Sequence, residues 1–141
     1  VNIKLGFDNF YLYSAINAKS GDSFTYLYSK TDTDCFNHFL EEFSKYYEGK
    51  EIIMIMDGAS WHKSKDLKIP KNIEKILLPP YCPELNPVER LWQYIKNHTI
   101  KNKVFETLKE IEDEVCEFVK NNLTKEIIRN ICKKELVNGQ L

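Results

Sequence analysis

The sequence predicts an α/β domain in which helices cover a mixed sheet. Three observations carry this. Short apolar runs of strand length, Glu51–Gly58 and Ile73–Leu78, alternate with longer stretches whose apolar residues recur at helical period. Two aromatic-rich runs, Phe10–Asn17 and Ser23–Tyr28, flank Lys19-Ser20-Gly21-Asp22, a hairpin turn signal. After Val88 only helical periodicity remains. The resulting order is hairpin, helix, strand, loop, strand, helix, helix, helix, which suits a layered α/β architecture. A chain of 141 residues is expected to make a single domain, 1–141, with one core.

Each element follows from its residues. Val1–Asp8 alternates weakly and reads as an edge strand or a ragged start. Thr31-Asp32-Thr33-Asp34 offers N-caps for a helix to about Tyr47. Its stripe is Phe36, Phe39, Leu40, Phe43 and Tyr46 or Tyr47, and Gly49 closes it near the C′ position. The run Ile52-Ile53-Met54-Ile55-Met56 reads as a strand buried on both faces. Asp57 then stands at the strand's carboxyl end, where open α/β sheets place their ligands. Ser60–Leu67 reads as a loop with a short helical turn. Ile73–Leu78 is the next strand. Four of the five prolines lie in Ile76–Trp92, and each fixes φ and removes a backbone donor. Asn86 is a good N-cap, Pro87 falls at N1 and Glu89 at N3 of a helix to about His98. Phe105 to about Asn122 forms a long amphipathic helix, and Thr124 caps a last one carrying Ile127, Ile128 and Ile131.

Bulk properties narrow the function. Apolar residues make up 43% of the chain, enough for a globular core, and no run reaches the length of a membrane span. Cys35, Cys82, Cys116 and Cys132 lack zinc or redox spacing and read as free thiols in a reducing, cytoplasmic compartment. The net charge is −1, yet Trp61–Lys103 holds nine Lys or Arg against four acids. That basic stretch suits phosphate contact, although taken alone a solvated lysine face is the better explanation.

The chemistry concentrates in two carboxylates. Asp57 at a strand tip and Glu89 on the first turn of a helix are the hard oxygen donors that a divalent cation takes. The bland readings are a turn-forming aspartate and a capping-box glutamate at Asn86-x-x-Glu89. Glu84, in the proline turn, is a weaker ligand candidate.

Asp57-Gly58-Ala59-Ser60-Trp61-His62-Lys63-Ser64 and Leu78-Pro79-Pro80-Tyr81-Cys82-Pro83-Glu84-Leu85-Asn86-Pro87-Val88-Glu89-Arg90-Leu91-Trp92 resemble the catalytic core of DDE transposases. The closest branch is the bacterial insertion-sequence group related to the mariner elements. The similarity runs from about Phe10 to about Leu123. Gly58 stands where Asn is usual and Cys82 where Ser is usual. The resemblance implies a ribonuclease-H-like mixed sheet flanked by helices. It makes Asp57 the second and Glu89 the third acid of a metal-binding triad that holds Mg²⁺, with Mn²⁺ as a substitute. It implies DNA as partner, both transposon ends and target, a nucleoid-associated location in a bacterium, and it allows a homodimer. His62, Lys63, Arg90, Gln93 and Lys96 become candidate DNA contacts. Trp61 and Trp92 read as core, and His38 and His98 as bystanders.

The family's first aspartate lies on a strand upstream of the one matching Phe10–Asn17, and no residue here matches it. Asp8 precedes the hairpin strand and is a poor substitute. The expectation is therefore a domain lacking its first strand, the C-terminal part of the catalytic domain, with a gap or re-pairing in the sheet. Cleavage and strand transfer would then be incomplete in this chain. The rival readings are a non-catalytic remnant or DNA-binding module, and a metal-dependent nuclease that does not join strands.

Overall fold

A computed structural model of the chain describes residues 5–7, 10–57, 65–79, 87–101 and 103–138. The elements are β1 (Leu5–Phe7), β2 (Phe10–Ile16), β3 (Ser23–Tyr28), α1 (Thr33–Tyr46), β4 (Ile52–Met56), β5 (Ile73–Leu77), α2 (Val88–Thr99), α3 (Leu108–Asn121) and α4 (Lys125–Asn138). The α/β class and the element order agree with the sequence. β1 is antiparallel to β2, with Leu5 opposite Leu12, and β2 lies between β1 and β3. β4 and β5 are parallel, from Ile52 beside Ile73 to Met56 beside Leu77. Among the described residues no ladder joins the three-stranded sheet to the two-stranded one. The mixed pairing is compatible with a ribonuclease-H-like fold.

The chain gathers into two compact units, one of residues 1–15 and 24–86, the other of 16–23 and 87–141. In the first unit, α1 supplies the core. Asp32 caps it by accepting from the Cys35 N–H at 2.8 Å. Phe36, Phe39, Leu40 and Phe43 then face Tyr13, Ala15, Met54, Met56 and Ile73. Phe24 of β3 lies within ring-contact distance of Phe39, Phe43, Tyr46 and Tyr47. Such tilted and edge-on pairs add to the burial of the rings themselves. The Tyr13 hydroxyl donates to the Lys30 carbonyl at 2.7 Å, and burial raises its pKa.

β4 departs from the sequence expectation. Met54 and Met56 are buried, whereas Ile53 and Ile55 are 63% and 47% exposed. Successive side chains alternate across a sheet, and this ladder packs its core on one face only. Five apolar residues in a row therefore do not mean burial on both faces here.

In the second unit, Val88, Leu91, Trp92, Ile95 and Thr99 form the buried stripe of α2, at helical spacing. α2 packs against α3 and α4, with Val115, Ile128, Ile131 and Cys132 also buried. Thr99 is buried because its hydroxyl donates to the Ile95 carbonyl at 2.7 Å. α3 starts later than its apolar period suggests. The Thr107 hydroxyl accepts from Glu110 N–H, and the Glu110 carboxylate accepts from Glu106 N–H at 2.9 Å. These two bonds satisfy orphan donors at the helix start and set it at Leu108, leaving Phe105 outside. Thr124 caps α4 as expected, accepting from Ile127 N–H.

Candidate metal centre and nucleic-acid face

Asp57 directly follows β4 and is half-buried. Its approach is well held. The Leu78 N–H donates to the Met56 carbonyl at 2.8 Å, so the parallel ladder reaches the residue before Asp57. Met56 itself is fully buried against α1.

Two asparagines that the sequence did not single out support this strand and the segment beyond it. Asn72 accepts from the Ser44 hydroxyl at 2.5 Å and donates to the Tyr47 carbonyl at 3.4 Å. Its own carbonyl takes the Ile52 N–H, so one residue ties the end of α1 to the starts of β4 and β5. Asn37 donates to the Asp66 carbonyl and accepts from the Lys68 N–H, at 3.0 and 2.8 Å. That pins residues 66–68 to α1. Asn37 is one of several polar residues on α1, so nothing in the sequence sets it apart. His62, Lys63, Glu84, Trp61 and Asp8 lie outside the described residues, as does the expected N-cap Asn86.

Glu89 lies in the second unit, in the first turn of α2 and on its solvent side. A carboxylate there is favoured by the positive end of the helix dipole. Pro87 takes the cap position with helical φ and ψ, and the Arg90 and Leu91 N–H groups both donate to its carbonyl. The helix thus begins one residue later than expected, and Glu89 is its second residue.

Gln93 and Lys96 follow Glu89 at i+4 and i+7 and share its exposed stripe, with Asn97 beside them. Gln93 Nε2 donates to the Asn97 side-chain Oδ1 at 3.1 Å. Arg90 differs. It is half-buried, and its guanidinium donates to the Ile131 and Cys132 carbonyls of α4 at 3.0 and 3.3 Å. Those two donors serve the packing of α2 on α4. Trp92 is core, as expected. His98 stacks on Tyr94 with centroids 4.0 Å apart, and His38 bonds the Tyr28 hydroxyl at 2.7 Å.

The donor chemistry fits a hard divalent cation in kind, since Asp57 and Glu89 offer carboxylate oxygens. The exposed stripe of α2 adds an amide and an ammonium, groups that reach phosphate oxygens.

Residues 6–112 match the family model described as DDE superfamily endonuclease. The chain belongs to that superfamily. It is also 32% identical over 107 residues to the uncharacterized protein y4pE/y4sA of Sinorhizobium fredii (strain NBRC 101917 / NGR234), covering 75% of this chain and 79% of the relative. DDE superfamily endonucleases act on DNA and typically use divalent metals. Asp57 and Glu89 both fall within the matched residues, and α4 lies beyond them. No helix among the described residues is long and apolar enough to cross a membrane.

Proposed function

We propose that this DDE endonuclease domain, residues 1–141, is the C-terminal part of a transposase catalytic domain of the mariner-related insertion-sequence branch. It cuts transposon ends and joins them to target DNA, in the bacterial cytoplasm at the nucleoid. Asp57 and Glu89 are its metal ligands. The observation that carries the reading is the match over 6–112, with one acid closing a strand of a parallel ladder and the other on a helix's first turn. Bound at such carboxylates, Mg²⁺ or Mn²⁺ supplies charge stabilisation to an in-line phosphodiester displacement.

The residues themselves do the rest. Met56 and the ladder bond to Leu78 hold Asp57 at the end of a rigid strand. The buried stripe of α2 turns Glu89, Gln93 and Lys96 outward together. Lys96 places an ammonium for a phosphate, and Gln93 orients the backbone by hydrogen bonding. His62 and Lys63 are further proposed DNA contacts, from the motif alone. Asp57 and Glu89 match two of the family's three acids.

The test is nicking of linear DNA carrying the element's ends, in Mg²⁺ and in Mn²⁺, with strand joining scored separately. Asp57→Asn or Glu89→Gln is expected to lower the metal-dependent rate at least about a hundredfold, the loss of several kcal/mol of charge stabilisation. Full rate in either variant would reduce that residue to a turn former or a helix-start acid. Cutting without joining would make the protein a nuclease. Loss of cutting in Asp8→Asn would assign the third acid to Asp8.

A further inference from the structure

We propose that α4 and the tip of the β2–β3 hairpin form a tie that positions the first turn of α2, and with it Glu89. All of its parts lie in the second unit. The tip is rigid by itself. The Asn17 carboxamide oxygen accepts from the Lys19 and Ser20 N–H groups at 2.9 and 3.1 Å. The Asn17 N–H donates to the Asp22 carbonyl and the Gly21 N–H to the Asn17 carbonyl, both at 2.8 Å.

This tip seats on the start of α4. Gly21 is buried at φ +80°, and a Cβ there would collide with the Lys125 backbone. Glycine is required twice over, for its conformation and for the close approach. Arg129 reaches back one turn and donates to the Ser20 carbonyl at 2.9 Å. Lys125 pairs with Asp22 at 2.8 Å, but both are solvent-accessible, so that ion pair adds little. Gly21 and Arg129 therefore carry the contact.

Further along the same helix, the carbonyls of Ile131 and Cys132 receive the Arg90 guanidinium. Three residues of helix, about 4.5 Å, separate Arg129 from Cys132. Arg90 adjoins Glu89 in sequence, and the cap residue Pro87 makes no side-chain bond. The first turn of α2 is thus anchored through Arg90 to a helix that is itself held by the hairpin tip. α4 lies beyond residues 6–112, so the family's matched region does not contain this support. Arg90, Arg129 and Gly21 are positioning residues, and their consequence for catalysis rests on the reading of Glu89 as a metal ligand.

Two measurements on the whole chain separate the tie from that reading. Hydrogen exchange without metal compares the wild type with Arg129→Met, Gly21→Ala and Arg90→Lys. Arg129→Met is expected to speed exchange about tenfold in both α4 and the first turn of α2, the factor for losing one charge-assisted bond, and Gly21→Ala, which drives a Cβ into the Lys125 backbone, at least as much. Arg90→Lys speeds α2 alone, and the amides of α1 and β4 stay unchanged in every variant. Loosening of α4 with full protection at the first turn of α2 would overturn the tie. If Gly21→Ala fails to fold, Arg129→Met and a partial rescue by Arg129→Lys decide.

The second measurement is backbone cleavage by Fe²⁺ with ascorbate and peroxide. The wild type is expected to be cut beside Asp57 and beside Glu89, and the tie variants to lose the cut at Glu89 about tenfold while keeping the other. Equal cuts in wild type and variants would overturn the positioning of Glu89. A wild type uncut beside Glu89 would refute its metal role, with the exchange data still deciding the tie.

Discussion

Replacing Ile55 and Met56 in turn by threonine tests which face of β4 carries the fold beneath Asp57. The two residues are neighbours in an unbroken apolar run, yet Met56 is fully buried and Ile55 is 47% exposed. Full burial of such a side chain contributes about 1.5–3 kcal/mol. Met56→Thr loses that whole amount and leaves a hydroxyl in the core, which adds about 1–3 kcal/mol if it finds no partner. The expected cost is about 3–5 kcal/mol. Ile55→Thr keeps β-branching and loses only the buried half of its surface, so about 1 kcal/mol is expected. Ile53→Thr, at 63% exposure, should cost less again. Urea titration followed by circular dichroism reads these values. With a slope of about 1–3 kcal/mol per molar, Ile55→Thr moves the midpoint by under about 1 M and Met56→Thr by about three to five times as much. A domain stable by about 5–15 kcal/mol survives the first easily and the second narrowly. If Ile55→Thr were as damaging as Met56→Thr, the exposed face would be covered in solution and the one-sided packing of this ladder would be wrong.

Two further outcomes concern the start of α1. Asp32→Ala removes the cap on Cys35 N–H and is expected to cost about 1 kcal/mol at pH 7, read from the same titration. That bond lowers the Asp32 pKa below its ordinary 3.8, so the stabilisation is complete above about pH 4 and fades as pH falls through the lowered value. Wild type and variant should therefore converge in strong acid, and a constant difference down to pH 2 would contradict the cap. Burial, with the Asp32 carboxylate beside it, raises the Cys35 thiol from 9.0 to about 11. Iodoacetamide at pH 8 should then modify it about a hundredfold more slowly than an ordinary thiol, and Asp32→Ala should speed the reaction. Modification at the ordinary rate would refute that environment.

Local patterns in this chain were enough for most element positions. Thr124 marks a helix start that the structure keeps, and Gly21 and Gly49 take the positive φ values that only glycine adopts easily. The stripe of α1 names its buried residues Phe36, Phe39, Leu40 and Phe43 because helical period maps directly onto one face. The motif around Asp57 and Glu89 named the family because its residue types follow one another in a fixed order, which needs no coordinates.

Long-range partners stayed hidden. Nothing in the run Ile52–Met56 says which face meets α1, because both faces carry apolar side chains and burial depends on what packs there. Arg90 reads equally as a DNA contact or a packing residue until Ile131 and Cys132 supply acceptors 41 and 42 positions away. The seat of Gly21 on Lys125 and the bond from Arg129 to Ser20 join residues over a hundred positions apart. Such pairings have no local period or propensity. They arise only when the folded backbone brings a donor within about 3 Å of a distant carbonyl.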